Sequence, residues 1–367
     1  MRIRFVSPAV ALLQRLPMTL KLLGLSTMVV VPLLLVAWLL AEDAWRDAQS
    51  ARRALEGAET AQRLQQLARD WQTWRDSAQP IEGVADLATR QQGAARAIES
   101  ALQALDAPMR ADTWGLAGAW VPARDVGQEL LKNTALSPSA RHAQATQVIE
   151  RVQRLALAVA ETSGLSLDAD PLVVHRVALA VELLPAVRET TSFLRGRAAV
   201  LLADPNAMTD SVIISDIVRL ANDAARVQGV LPTMQERLDA LQRRGASVPK
   251  GWGTFRSETD EWLRAVDAHL RTAAMTIDGP AFYALSDKAV AAQAALEDEL
   301  LADAVERLHA RVQARQATLV AVAAGCVVVL LLLAYAMVAF YHATVGGLRH
   351  LNGAIDRAAS AITSESV

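Results

Sequence analysis

Two stretches of this sequence run long enough without a charge to cross a lipid bilayer, and they constrain everything else. Leu22 to Ala41 reads LLGLSTMVVVPLLLVAWLLA, and Ala317 to Tyr341 reads ATLVAVAAGCVVVLLLLAYAMVAFY. A spanning helix needs about 20 predominantly apolar residues, and both runs qualify. Pro32 is acceptable because neighbouring groups in a membrane bundle re-satisfy the backbone it frees. Trp38 and Trp45 border the first run and Tyr335 and Tyr341 the second, as interfacial aromatics do. The first run exceeds the apolar core of about 7–15 residues found in a secretory signal, and only Leu39 and Ala41 suggest a cleavage site. It reads as an uncleaved anchor.

Charge then sets the orientation. Residues 1–21 carry Arg2, Arg4, Arg15 and Lys21 and no acid, which places the N-terminus in the cytoplasm. A second span returns the chain, giving five segments. These are a basic cytoplasmic N-terminus (1–21), a first span (22–41), an exported domain (42–316), a second span (317–341) and a cytoplasmic tail (342–367). The exported segment holds 31 basic and 37 acidic side chains, a balance of −6. It has no basic stripe interleaved with aromatics, which argues against a nucleic-acid partner. The one cysteine, Cys326, lies in the second run, so no intrachain disulfide and no thiolate metal cluster can form.

The exported segment patterns as helix throughout. Leu64, Leu67, Trp71, Trp74 and Ala78 step by three and four. So do Ile217, Leu220, Ala224, Val227, Leu231, Met234, Leu238 and Leu241, and such steps form the seams of helical bundles. Pro80, Pro108, Pro122, Pro138, Pro171, Pro205, Pro249 and Pro280 punctuate the stripes, while Pro185 and Pro232 fall inside them and predict kinks. The fold class expected is all-α: two transmembrane helices and an extended bundle of six to eight helices. The first is expected to end near Gln79 and the last to start near Ala281. A helix over residues 42–79 would stand roughly 55 Å tall, which predicts two stacked bundles, with one irregular helical domain as the alternative.

Ser139 onward reads SARHAQATQVIERVQRLALAVAETSGLSLDADP, followed by an apolar helix and LLPAVRETTSFLRGRAAVLLA. This resembles the periplasmic helical sensor region of bacterial methyl-accepting chemotaxis proteins and of some diguanylate cyclases. The residues that carry it are His142, Ser163, Leu165, Leu167, Asp168, Asp170, Leu184, Pro185, Arg195 and Gly196. An aromatic pair and a methionine usual after the Asp turn are replaced by Leu172, Val173 and Val174. The resemblance implies a multi-pass protein of the bacterial inner membrane with its central domain periplasmic, acting as a homodimer. The tail looks like the first helix of a HAMP linker, with Leu348, Leu351, Ile355 and Ile362 as a seam. The sequence ends before a second HAMP helix, so the expectation is a sensor portion without an output module.

No nucleophile elbow, phosphate-binding loop, zinc-protease or kinase motif occurs, no two of the six histidines are spaced for a helix-borne metal, and an enzyme or a bound cofactor is not expected. Arg188, Thr191 and Arg195 share one helical face, where guanidinium forks beside a hydroxyl would suit a small carboxylate or phosphate ligand; solvated or ion-paired arginines are the competing reading. Ser163, Asp168 and Asp170 read as a structural turn, with Gly164 closing one helix and an aspartate and Pro171 opening the next. His142 falls on the stripe of Ala145, Ile149, Val152 and Ala156 and reads as a half-buried core histidine. Trp71 and Trp74 read as core.

The expected function is therefore a transmembrane sensor of a small anionic ligand or a periplasmic protein. The alternatives are a membrane-anchored helical assembly protein and the sensor part of a diguanylate cyclase. A channel is disfavoured because neither apolar run holds a charged residue.

Overall fold

The computed structural model describes residues 18–78, 80–111, 113–204, 210–272 and 276–364. Among them every regular element is a helix, so the fold is all-α. The helices are α1 (Met18–Asp76), α2 (Leu87–Arg110), α3 (Ala117–Lys132), α4 (Pro138–Thr162), α5 (Pro171–Val177), α6 (Leu184–Leu202), α7 (Ser211–Asp223), α8 (Ala225–Arg243), α9 (Gly251–Ala265) and α10 (Gly279–Ser364). A π segment, Ala178–Leu183, joins α5 to α6 without a break, and another, Val266–Arg271, extends α9. The chain divides into two compact units, residues 50–312 and the pair of flanking segments on either side.

Helix ends follow side-chain chemistry. Ser137 Oγ accepts from the Ala140 N–H and Pro138 takes the first turn of α4. The Asp210 carboxylate accepts from the Val212 N–H at 2.8 Å, and that of Asp278 from the Ala281 N–H at 2.8 Å. Such caps satisfy N–H groups that have no partner within the helix. Pro108 and Pro122 differ from expectation: both lie inside helices, α2 and α3, instead of between them. Pro108 stands two residues from the end of α2, where little helix remains to disrupt. Pro205 lies outside the described residues.

Four rods form the centre of the 50–312 unit. Contacts Arg75–Thr146 and Gly57–Ser163 run α4 antiparallel to α1. Contacts Arg176–Asp303 and Arg195–Asp287 run the α5–α6 rod antiparallel to α10. The buried face of α1 is alanine at 51, 54, 58 and 61 with Leu55 among them, then Leu64, Leu67, Trp71 and Trp74. The remaining helices lie beside this bundle, not stacked above it. Gly127 of α3 packs on the Trp71 ring, Trp262 of α9 donates to Ser286 Oγ of α10 at 3.1 Å, and the N–H groups of Lys250 and Gly251 donate to Glu299. These shorter helices bury one apolar face each against the long rods, so a single continuous core results. That corrects the expected stack of two bundles.

The flanking unit contains the N-terminal part of α1 and the C-terminal part of α10. Asp47 and Arg315 pair across it at 3.0 Å. Its large apolar side chains face outward, among them Leu34, Leu35, Trp38, Leu331 and Leu332. Among the described residues one helix, Gly279–Phe340, is long and apolar enough to cross a membrane. The earlier run is helical, but side chains 22–26 and 29 lie outside the described set, and the described part does not establish a second span. The tail is helical to Ser364, while the side chains of Leu348, Leu351, Ile355 and Ile362 also lie outside that set.

Candidate functional site

Three of the central rods carry charged groups on their inward faces. Arg69, Arg75 and Asp76 come from α1, Arg188, Glu189 and Arg195 from α6, and Asp287 and Glu297 from α10. The side chains of Arg75, Asp76, Arg188 and Glu297 are fully buried. With Asp298 paired to Arg69 and Arg90 paired to Asp287, five guanidinium groups face five carboxylates and the network is balanced in formal charge.

The pairs interlock. Arg188 is bonded to Glu297, donates through Nε to Gln72 at 3.0 Å and reaches Gln65 at 3.3 Å. Arg69 touches Glu297 at 3.4 Å and Asp298 at 2.7 Å. Arg75 bonds Asp76 at 2.8 Å and also Glu189. Arg195 divides its donors between Asp76 at 3.0 Å and Asp287 at 2.7 Å, and lies over the Tyr283 ring. Ser192 Oγ donates to Asp76. Gly196 allows the approach: a Cβ there would lie 3.2–3.3 Å from Asp76.

Electrostatics follow from the packing. Burial opposes the charge on Arg75, but Asp76 and Glu189 outweigh it and its pKa is raised. Asp76 is pushed up by burial and more strongly down by Arg75, Arg195 and Ser192, so its carboxyl sits below the ordinary range. Burial, with Arg69 second, lowers Arg188. His142 of α4 packs edge-on to Phe193 with centroids 5.2 Å apart, and burial followed by the Arg75 charge pushes it down to about 4.

Arg188, Thr191 and Arg195 do share a face, and that face is turned into the core. Thr191 is fully buried and accepts a hydrogen bond from Gln293 Nε2 at 3.1 Å. An external anion reaching the two arginines would have to displace Glu297, Asp76 or Asp287. Trp71 and Trp74 are also core, in edge contact at 5.4 Å.

The turn after α4 forms a second contact. Gly164 adopts φ 79°, Asp168 accepts from the Asp170 N–H at 2.7 Å, and Asp170 accepts from the Leu172 N–H at 2.9 Å. Ser163 follows the last residue of α4 and is buried against Gly57. Both guanidinium nitrogens of Arg311 on α10 grip the Asp168 carboxylate, Arg307 lies 3.9 Å from Asp170, and Arg176 lies 3.5 Å from Asp303. Ion pairs thus join α10 to the turn at Asp168 and Asp170 and to the α5–α6 rod from Arg176 to Arg195.

Residue patterns had pointed to the two arginines but not to their acids, which lie 92–119 residues away. The available signal was polar side chains at core positions: Gln65 and Gln72 step by seven beside the Leu64–Trp71 seam, and Ser286 and Gln293 do so on α10. No protein-family model, curated protein or solved structure matches this chain.

Proposed function

We propose that this chain is the sensor part of a transmembrane signalling protein. Residues 42–316 lie in the periplasm, the runs at 22–41 and 317–341 both span the inner membrane, both termini are cytoplasmic, and two copies act together. The observation that supports this reading is the single helix α10. It carries Asp287, Glu297, Asp303, Arg307 and Arg311, the groups that hold the α5–α6 rod. It then continues unbroken through the apolar run to Ser364. A change in how the rod seats on α10 therefore acts on the same continuous helix that contains the apolar run. The buried charges suit such a role, because breaking one partner of a buried pair is costly, so the rod and α10 are held in one register.

Topology is the first test. In a Cys326→Ala background, Ser211→Cys on exposed α7 should react with a membrane-impermeant thiol reagent once the outer barrier is opened. Ser7→Cys should react only after lysis. Labelling of position 211 only after lysis would sink the sensor reading, and labelling of position 7 before lysis would remove the span at 22–41.

A further inference from the structure

A groove of about 590 Å³ lies between α4 and the π segment of the α5–α6 rod. Pro185 explains the irregular turn. Its ring excludes the carbonyl four residues back and it donates no hydrogen bond, and just before it the Leu184 N–H reaches five residues back to Leu179 O. Such wide turns recur at functional sites. Leu157, Val181 and Pro185 give the groove an apolar floor. Its rim carries Glu150, Glu161 and Glu182, all exposed, and one cation, Arg154.

The three glutamates stand apart from the acids described above. Asp76, Glu189, Asp287, Glu297, Asp303 and Asp168 each hold an arginine. Glu150, Glu161 and Glu182 form no ion pair among the described residues. Their spacing excludes a single metal ion: Glu150 and Glu161 are eleven residues apart on one helix, about 16 Å along its axis. What complements separated carboxylates over an apolar floor is an extended chain with cationic groups divided by methylenes. The volume falls within the range of about 300–1,000 Å³ typical of small-molecule sites.

We infer that this groove binds a linear alkyl polyamine, with its ammonium groups on Glu150, Glu182 and Glu161 and its methylenes on Leu157, Val181 and Pro185. This supplies a ligand class for the sensor reading and rests on it for its biological meaning. Binding and topology are measured separately, so either can fail alone.

The test is calorimetric titration of the full chain, in uncharged detergent at physiological salt, with spermidine as the probe. Saturable binding at one site is expected, with no comparable response to magnesium or to 1,8-octanediol. Glu150→Gln and Glu182→Gln should each weaken binding about 2- to 5-fold, the range of a partly exposed ion pair. The triple variant with Glu161→Gln should lose it while melting like the parent, since these side chains are exposed and unpaired. No saturable binding, equal displacement by magnesium, or unchanged affinity in the triple variant would each overturn the assignment.

Discussion

Replacing Glu297 by leucine removes the carboxylate on which Arg188 depends. Both side chains are fully buried, and Gln72 and Gln65 offer Arg188 only neutral oxygens. Removing one member of a buried pair costs about 3–5 kcal/mol, because the remaining charge is left without compensation in a poor solvent. In a domain of this size 1 kcal/mol moves the Tm by about 2–4 °C, so a fall of roughly 6–20 °C is expected. Replacing both partners, Arg188→Met with Glu297→Leu, should recover most of that loss, since apolar side chains of similar volume often substitute for a buried pair without net cost. A residual deficit of about 1–3 kcal/mol remains because the buried oxygens of Gln72 and Gln65 lose their donor. Arg69 keeps Asp298 in either variant. Circular dichroism melts of the full chain in one detergent, at fixed salt, measure all three proteins. A Glu297→Leu variant that melts within about 2 °C of the parent, or a double variant no better than the single, would refute the reasoning.

Two further outcomes follow from the same core. His142 is held down to about 4 when folded, whereas a free imidazole titrates near 6.5. The unfolded chain therefore takes up the proton first, so stability is full above about pH 6.5 and falls as the pH drops towards 4. His142→Phe should flatten that part of a melting-temperature profile, and an unchanged slope would exclude His142 as its source. A methyl group at Gly57 would overlap the Ser163 side chain. Gly57→Ala should therefore cost about 1–3 kcal/mol as overpacking, and Ser163→Gly should restore the loss in a denaturant titration; failure to restore it would place the strain elsewhere.

The helical class was legible because apolar periodicity is local. Leu64, Leu67, Trp71 and Trp74 form one buried stripe as their spacing indicates, and so do Ile217 to Leu241. The second stripe concealed a break, since the chain turns at Ala224 between α7 and α8 without losing its period. Residue chemistry also marked the turn at Gly164, Asp170 and Pro171. The partners of these groups were not legible. Nothing in the surroundings of Asp168 names Arg311, and the face shared by Arg188 and Arg195 looks the same whether it meets solvent or acids on another helix. Lateral instead of stacked packing was hidden for a related reason: a helix's length does not say which neighbour covers its flank.

The inner face of α1 has two mechanical textures. From Ala51 to Ala61 it presents mainly methyl groups, with Leu55 among them and Gly57 fitted closely against Ser163. From Leu64 to Asp76 it presents indoles, leucines and charged groups keyed to acids and bases on α6 and α10. Axial slip along the first part works against dispersion contacts and the fit of Ser163 at Gly57, while slip along the second must tear ion pairs apart. A load on this helix is therefore resisted by steric fit at one end and by charge at the other, and the charged end is the firmer anchor.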